Sequence, residues 1–376
     1  MKLVHIVFEG DGPISTGARL RNDAIYTALS QIHDTNTLAI QDFLGLGSRF
    51  LPRGPAYISV MFTRTQLEKI ITYVQANSPD LVVVDGVYFA RIAEALHRAG
   101  LRVIIVSHNV ESALMRRVDE AETPAALLPV MRRLNRKRWQ RAEAAERQLG
   151  AISEAIWVCS EQDARDLAAL VGPDTRIEIV PNPVPKWCEQ QAPRPERLFS
   201  DGRAQGLFIG HLNYKPNIIA AQNLANHIVP AIQTALPEFT LTVAGFAPGK
   251  ALTRILNRAK GVKLIASPPE LRGLYEAADV AVIPLTVGGG TRIKALEAMA
   301  CGVPVVASEK AVEGLGLRDK HEFLLAETPE AYGEAIATLA HNADLRQQLV
   351  QAAHDFVASR HTQPALNALI EKILPQ

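Results

Sequence analysis

The stretch PLTVGGGTRIKALEAMACGVPVVAS, Pro284–Ser308, decides the fold. It opens on the end of an apolar strand and continues into three consecutive glycines. Thr291 is the predicted N-cap of a helix over Arg292–Cys301. Gly302 stops this helix, and the next apolar strand begins at Val303. Strand, glycine-rich turn, helix and strand in this order are typical of a parallel sheet whose strands are joined by helices.

The same alternation extends through the rest of the chain. Asp80–Val84 is a continuous β-branched run, which predicts a strand buried on both faces. Phe89–Ala99 predicts a helix and Arg102–Ser107 the following strand, and the second half repeats the pattern. The predicted fold class is α/β, with two doubly wound Rossmann-like domains. Ligands of such sheets bind beyond the carboxyl ends of the strands, so two facing domains would form one interdomain cleft.

A proline-rich segment, VPNPVPKW at Val180–Trp187, separates the two halves. It predicts an N-terminal domain over residues 1–185 and a C-terminal domain over residues 186–355. A last helix, within residues 356–376, is expected to pack back on the N-terminal domain.

Composition excludes several classes of protein. The 376 residues carry 40 Lys and Arg against 39 Asp and Glu, a formal charge of +1, which argues against a dedicated DNA-binding protein. With 48% hydrophobic residues, the chain is not disordered or of low complexity. Its three cysteines fit neither a disulfide scaffold nor a zinc site. No signal peptide or membrane span is visible, which predicts a cytoplasmic protein.

One segment departs from this balance. Residues 131–147 hold seven basic and two acidic side chains around Trp139. One interpretation is a cationic helix that contacts anionic lipid or an anionic acceptor, peripherally at the inner face of a membrane. The other interpretation is an ordinary solvated helix face.

The glycine-rich turn predicts an anion site. Backbone N–H groups converge at the start of a helix, where the helix dipole adds partial positive charge. Cations in the first turn oppose that dipole, so Arg292 and Lys294 indicate a functional site that a diphosphate would neutralise. Glu297 lies one turn further on the same helix side as Lys294, where its carboxylate suits a ribose diol. The alternative is a surface ion pair above an ordinary loop.

At this point the chain resembles glycosyltransferase family 4, which comprises retaining enzymes of the GT-B fold. The segment GGGTRIKALEAMACGVPVVAS is similar to the donor-site signature of that family. Further segments of both halves are similar to it as well: SHNVES (Ser107–Ser112), VCSEQDARDL (Val158–Leu167), IVPNPV (Ile179–Val184), FIGHLNYKPN (Phe208–Asn217), TLTVAGFAP (Thr240–Pro248) and LYEAADVAVIPL (Leu274–Leu285).

The resemblance implies donor-binding residues in the second domain. These are His211, Lys215, Gly288, Gly289, Gly290, Thr291 and Glu297, with Arg292 and Lys294 acting on the leaving diphosphate. Two places depart from the family. It often has two glutamates eight residues apart, and Gly289 stands at the first of them, so the donor sugar is not specified. It also often has an Arg and a Lys on the diphosphate where this chain has His211 and Pro216, with Lys215 adjacent.

In the first domain the resemblance implies a role for two residues. His108 follows the strand RVIIVS and matches a histidine that binds the donor sugar near the reacting carbon; the alternative is a capping or core histidine. Gly17 opens the first helix and matches a glycine that lets the backbone approach the donor phosphates. By topology, Asp85 and Tyr88 end the preceding strand at the same edge of the sheet.

The predicted function is therefore a retaining, metal-independent hexosyltransferase of cell-envelope or exopolysaccharide biosynthesis. Its substrates would be a UDP- or GDP-linked sugar, held by the second domain, and a glycan, lipid-linked or other hydroxyl acceptor, held by the first. No cofactor, metal ion or nucleic acid is expected. Alternatives are a sugar-nucleotide epimerase of the same fold and a non-catalytic sugar-nucleotide-binding protein. A dinucleotide-dependent oxidoreductase is disfavoured because Ser15 replaces the third glycine of its fingerprint.

Overall fold

The structure, a computed structural model, describes residues 1–8, 17–43, 62–189, 193, 198–199, 204–287 and 292–375. The chain divides into two compact units. Unit 1 contains Met1–Pro183 and Gln363–Gln376, and unit 2 contains Val184–Gly288 and Arg292–Thr362. The chain thus leaves unit 1 slightly before the expected boundary at 185 and re-enters it at Gln363 rather than at 356.

Unit 1 is built on a six-stranded sheet in the order β2-β1-β3-β4-β5-β6, with every pair parallel. Its strands are β1 Lys2–Val7, β2 Asp34–Ala39, β3 Leu81–Asp85, β4 Val103–Val106, β5 Ala155–Val158 and β6 Ile177–Ile179. The strand β3 is buried on both faces, as its β-branched composition predicts. Val82 and Val84 join the apolar cluster on one face, whereas Leu81 and Val83 join the cluster on the other.

Helices cover both faces of this sheet. They are α1 Gly17–Ile32, α2 Arg64–Ala76, α3 Ala90–Arg98, α4 Glu111–Glu122, α5 Leu128–Ile152, α6 Glu161–Val171 and, from the end of the chain, α16 Gln363–Ile373. Local sequence sets two of their starts. Thr63 and Gln66 form a reciprocal capping box before α2, and Ser160 caps α6 by accepting from the backbone of Asp163.

Unit 2 has a second parallel sheet in the order β12-β11-β10-β7-β8-β9. Its strands are β7 Gln205–Ile209, β8 Thr240–Gly245, β9 Val262–Ala266, β10 Val280–Ile283, β11 Val305–Ala307 and β12 Leu324–Leu325. Its helices are α7 Lys186–Glu189, α8 Lys215–Asn223, α9 Val229–Ala235, α10 Lys250–Arg258, α11 Arg272–Ala277, α12 Ile293–Ala300, α13 Glu309–Val312, α14 Pro329–His341 and α15 Ala343–Arg360. The strand order reverses direction between β7 and β10.

Two predicted helices differ from those observed. The helix expected over 218–235 starts earlier, at α8, and is interrupted by one π-helical turn at Leu224–Ile228 before α9. Pro230 explains the interruption, because it has no N–H to donate to the preceding turn and its ring needs room there. The N-cap of α12 is Arg292 rather than Thr291. Within the described ranges, no helix is long and apolar enough to cross a bilayer.

Candidate functional site

In unit 2 the candidate site lies at the carboxyl ends of β7 and β10, where the strand order reverses. Open parallel sheets bind their ligands at such a point. Lys294, in the first turn of α12, extends along the end of β7 with its Nζ 4.6 Å from the centre of the Phe208 ring. The same Nζ donates a 2.6 Å hydrogen bond to Oδ1 of Asn217. The switch point therefore holds a cation, as the sequence predicts for Lys294.

Asn217 is the residue that orients this lysine. Its side chain is buried, and its Nδ2 donates to the carbonyl of His211 at 3.0 Å. A Cβ on Gly210 would lie 2.8 Å from the Asn217 amide, so the glycine makes room for it. The turn after β7 thus places an acceptor for Lys294 and leaves the His211 ring exposed, edge-on to Phe246 at 6.1 Å.

The electrostatics of Lys294 suit an anion. Burial and the charge of Arg292 lower the pKa of Lys294 to about 7, although the charge of Glu297 opposes the shift. Its hydrogen-bond acceptor is a neutral amide, and no carboxylate within the described parts of the chain pairs with it at 4 Å or less. A diphosphate at this position would supply the missing negative charge and favour the protonated lysine.

Arg292 already has a protein partner. Its Nη2 donates to Oε2 of Glu313 at 2.8 Å, with the guanidinium side chain only 5% exposed. Lys310 donates to both oxygens of the same carboxylate. Burial would raise the pKa of Glu313, but the hydrogen bonds and charges of Lys310 and Arg292 lower it. The expected conflict between Arg292 and the helix dipole is therefore relieved within the protein, without a diphosphate.

Glu297 lies one turn beyond Lys294 on α12 and is buried. The hydroxyl of Tyr275, on α11, donates to its Oε2 at 2.9 Å, and the Trp187 ring packs on Tyr275 at 5.8 Å. Burial raises the pKa of Glu297 to about 7, against the opposing effects of Tyr275 and Lys294. One carboxylate oxygen is held in place, which fixes the orientation of the other.

Some predicted donor residues cannot be placed. Gly288, Gly289, Gly290 and Thr291 lie outside the described residues. Lys215 begins α8 and is exposed. The structure therefore brings Lys294 and Glu297 together on α12. It places His211 on the turn after β7 and Lys215 at the start of α8.

In unit 1 the candidate site is a histidine–carboxylate pair at the ends of neighbouring strands. Nε2 of His108, after β4, lies 2.5 Å from Oδ1 of Asp85, the last residue of β3. Asn22 of α1 donates to the other oxygen of Asp85 at 2.7 Å. Burial alone would raise the pKa of Asp85, but the charge and hydrogen bond of His108, the charge of His5 and the Asn22 hydrogen bond lower it. The hydrogen bond between Asp85 and Nε2 of His108 fixes the orientation of the imidazole ring.

A second carboxylate lies beside this pair. Glu111, at the start of α4, is buried, and burial raises its pKa. The Tyr88 hydroxyl donates to Glu111, and Asn109 Nδ2 approaches its Oε1 at 3.4 Å. Within the described residues, Glu111 Oε2 has no hydrogen-bond partner. The edge of the first sheet therefore holds two buried carboxyl groups next to His108, one with a lowered pKa and one with a raised pKa.

The first helix, α1, contains the predicted site residue Gly17 and a buried arginine. A Cβ at Gly17 would meet no heavy atom of the described residues within 4 Å, so the fold itself does not require a glycine there. Arg21, about one turn after the start of α1, is fully buried, with its Nη1 donating to Val180 O and to Asn182 Oδ1. Arg21 thus ties α1 to the segment after β6 rather than adding an exposed positive charge.

Three site residues were not identified from the sequence. Asn217 and Tyr275 lie inside segments that match the resembled family, and asking which side chains could orient Lys294 and Glu297 would have drawn attention to them. Glu313 is the C-cap of α13, and no motif of the sequence around it indicates a site. Over the described ranges, no three His, Cys, Asp or Glu side chains converge in a metal-binding arrangement.

Both units match families of glycosyltransferases. Residues 42–183 match the glycosyl transferase 4-like domain, and residues 203–342 match the glycosyl transferases group 1 family. Each match covers most of one of the two Rossmann-like domains.

Curated proteins are similar to this chain over part of its length. A D-inositol 3-phosphate glycosyltransferase of Xylanimonas cellulosilytica is 30% identical over 55% of this chain and 54% of its own length. An uncharacterized 44.6 kDa protein in the cps region of Klebsiella pneumoniae is 24% identical over 41% of this chain and 42% of its own. These matches span about half of each relative.

Solved structures match over the whole length. Sucrose-phosphate synthase from Thermosynechococcus elongatus aligns with a TM-score of 0.67 at 15% identity, covering 99% of this chain and 98% of the other. Anabaena HepE in complex with UDP and glucose aligns with a TM-score of 0.64 at 14% identity, covering 100% and 99%. The two sheets and their flanking helices therefore form the GT-B fold.

Proposed function

We propose that this chain is a retaining hexosyltransferase that moves a sugar from a nucleoside diphosphate sugar, UDP- or GDP-linked, to a hydroxyl group of an acceptor. Lys294 carries the proposal. It is a half-buried amine at the switch point of the second sheet, hydrogen-bonded to a neutral amide. The complex of Anabaena HepE with UDP supports the same class of donor.

Each site residue takes a role in this proposal. Lys294 binds the diphosphate and stabilises its charge as it leaves, together with Arg292, His211, Lys215 and the backbone of the turn over residues 288–291. Glu297, oriented by Tyr275, accepts hydrogen bonds from the ribose hydroxyls. Gly17 leaves space for the donor phosphates. His108, oriented by Asp85, positions the sugar near its reacting carbon.

The chemistry follows from these roles. The bond between the anomeric carbon and the diphosphate oxygen breaks while the acceptor oxygen bonds to the same face of the sugar. The proton of the acceptor hydroxyl passes to the departing phosphate oxygen. No second carboxylate is required on the opposite face, in contrast to the two-carboxylate scheme of retaining glycosidases. The sugar keeps its anomeric configuration.

The acceptor is the least constrained part. We assign it to a glycan, a lipid-linked saccharide or another hydroxyl compound of cell-envelope or exopolysaccharide assembly. The similarity to a protein of the Klebsiella cps region supports this setting. The inositol phosphate named for the Xylanimonas relative shows a different acceptor of the same hydroxyl class.

Donor binding is the direct test. Calorimetry with UDP-glucose, GDP-mannose and ADP-glucose should identify one nucleotide class, and Lys294→Met should weaken its binding by roughly tenfold or more. Lys260→Met, an exposed lysine of the same unit, should bind as the unchanged protein does. Equal binding by the Lys294→Met variant would remove the lysine from the site.

Product analysis separates the alternatives. With a hydroxyl acceptor, the product should keep the anomeric configuration of the donor by nuclear magnetic resonance. An isomerised donor formed without acceptor would indicate an epimerase, and binding without turnover of any acceptor would indicate a binding protein.

We also propose that transfer needs no divalent metal. The chain contains no D-x-D sequence, the usual carboxylate pair for Mn²⁺ or Mg²⁺ on a diphosphate. Lys294 in its protonated form supplies positive charge instead. Activity should persist in excess EDTA, and loss that Mn²⁺ restores would contradict this part of the proposal.

A further inference from the structure

The hairpin of α4 and α5 exposes an unusual amount of apolar surface. Leu127, Val130 and Leu134 are 55%, 57% and 76% exposed, and they are three of the most exposed large apolar side chains in the described structure. They sit together at the N-terminal end of α5. A run of exposed leucines and valines on one short stretch indicates a surface that another molecule covers.

Basic side chains continue the same face of the helix. Val130, Leu134, Lys137 and Arg141 are spaced by four, three and four residues, which aligns them on one side of α5. Arg133 and Arg136 flank the row. All four basic side chains are exposed, and none forms an ion pair with another described residue.

The remaining basic residues of the segment are already neutralised. Arg138 pairs with Asp119, Arg132 pairs with Glu120 at 2.8 Å, and Arg147 approaches Glu143 at 3.7 Å. Two of these ion pairs join α5 to α4 and the third lies within α5, whereas the other basic side chains of the segment face outward. An ordinary solvated helix face would not place its unpaired charges in line with exposed leucines.

The opposite face of α5 is firmly built into unit 1. Trp139 is buried, with its Nε1 donating to Asp119 at 2.8 Å, and Arg116 stacks over the indole ring. Further along, Glu146 accepts hydrogen bonds from the backbone and hydroxyl of Ser112. The outward-facing side chains therefore belong to a helix whose opposite face is packed into unit 1.

From these observations we propose that the face formed by Leu127, Val130, Leu134, Lys137 and Arg141, with Arg133 and Arg136 at its rim, docks on an anionic lipid bilayer. The apolar side chains enter the boundary between headgroups and acyl chains, and the cations contact lipid phosphates, as in interfacial amphipathic helices. This surface binding does not depend on the proposed catalytic function.

Vesicle binding tests the proposal. The full chain should co-sediment with vesicles of phosphatidylcholine and 30% phosphatidylglycerol at low salt. It should bind vesicles of phosphatidylcholine alone much more weakly, and 0.5 M NaCl should weaken the anionic binding because it shortens charge interactions to a few ångströms.

Two variants assign the binding to this face. The first variant combines Arg133→Gln, Lys137→Gln and Arg141→Gln. Its binding to the anionic vesicles should be weaker on the order of a hundredfold, because each lost charge costs about one kcal/mol. Leu134→Ser should weaken it about tenfold at unchanged charge. Because these side chains are exposed, both variants should keep the thermal unfolding midpoint of the parent.

A charge-matched control lies in unit 2, where three exposed cations can be exchanged in the same way: Arg254→Gln, Lys260→Gln and Lys263→Gln. This control should partition as the parent does. Equal loss in both triple variants would overturn the proposal, because it would show unspecific attraction by net charge. Absence of binding at low salt would also overturn it, as would binding to a polyanion such as heparin without binding to anionic vesicles.

Discussion

At the level of single side chains, Lys294 and Glu297 form a pair whose pKa values burial brings together. Burial lowers that of Lys294 to about 7 and raises that of Glu297 to about 7. A nucleotide would act on them in opposite ways, since a phosphate favours the protonated lysine and ribose hydroxyls donate best to an ionised carboxylate. Donor binding is therefore expected to depend on pH near neutrality.

Single variants separate the two effects. With Glu297→Gln, affinity for the nucleotide sugar should fall by up to about tenfold per unit once the pH exceeds the pKa of Lys294, because Lys294 must then take up a proton to bind. This pKa lies below 7 in the variant, which lacks the Glu297 charge that raises it. With Lys294→Met, affinity should instead rise with pH as Glu297 ionises, at a pKa above 7 because the charge of Lys294 no longer lowers it. Calorimetry in buffers of different ionisation enthalpy measures the proton uptake. Identical pH profiles for both variants would contradict the assignment.

The pair of His108 and Asp85 supports a prediction about turnover. Asp85→Asn keeps the size of the side chain but removes the charge of the carboxylate that orients Nε2 of His108. We expect turnover to fall by roughly a hundredfold or more, with donor affinity nearly unchanged. Initial rates combined with donor titrations measure this split.

Asp34→Asn is the matched control, because Asp34 is an exposed carboxylate of the same unit. Its turnover should equal that of the parent. A parallel loss of turnover and donor affinity in Asp85→Asn would mean a structural role for Asp85.

Single residues also show which contacts of the candidate site can be predicted from the sequence. The spacing of Lys294 and Glu297 on one helix was enough to predict that they lie together. The ion pair of Arg292 with Glu313 was not predictable, because the partners are separated by β11 and meet only in the folded unit. The sequence predicts Arg292 as a cation that a diphosphate would neutralise. It does not show that Glu313 pairs with Arg292, because this contact forms only in the tertiary structure.

At the level of elements, the strands that could be predicted from the sequence are those that contain an apolar or β-branched run. The strand β2 (DTNTLA) was not predicted, because an edge strand with four polar residues carries no such signal. The two-residue strand β12 is too short for any periodic pattern. Strand pairing by neighbours, rather than local composition, produces both elements.

The strand β1 contains a buried polar group with a consequence for stability. His5 is fully buried within the sheet, and within the described structure neither ring nitrogen has a hydrogen-bond partner. Burial lowers the pKa of His5 to about 4, against an opposing effect of Asp85. The unfolded chain binds a proton at its ordinary pKa near 6.5, so the folded state loses stability as the pH falls from 6.5 to 4.

We therefore expect His5→Leu to remove this loss, which amounts to roughly 3 kcal/mol over the interval. Urea unfolding at pH 7, 5.5 and 4.5 measures it. The difference in unfolding free energy between variant and parent should grow as the pH falls. His97→Leu, an exposed histidine of the same unit, should follow the parent at each pH. A constant difference for His5→Leu would refute the linkage.

At the level of the whole molecule, the last helix belongs to the first unit. After leaving unit 2, the chain forms α16, which packs on α1, with Gln363 Nε2 donating to Ala24 O at 2.9 Å and Arg176 Nη2 donating to Ile373 O at 2.8 Å. Leu366 and Ile370 join Ile25 and Leu29 of α1 in one apolar cluster. One face of the first sheet is therefore completed by residues from the far end of the chain.

This arrangement predicts that a substitution near the C-terminus acts on the unit formed by the N-terminal half. Ile370 is 0% exposed, so Ile370→Ala removes buried methyl groups and leaves a cavity, at a cost of about 2–5 kcal/mol. Hydrogen exchange resolved by peptide should then become faster in β1, β3 and α1 and stay unchanged in β7, β8 and β10. Ile336→Ala, an equally buried isoleucine of α14 in unit 2, should give the reverse pattern. The two variants together distinguish a helix that stabilises its own unit from a tail that stabilises the whole chain, because uniform acceleration by Ile370→Ala would be expected only in the second case.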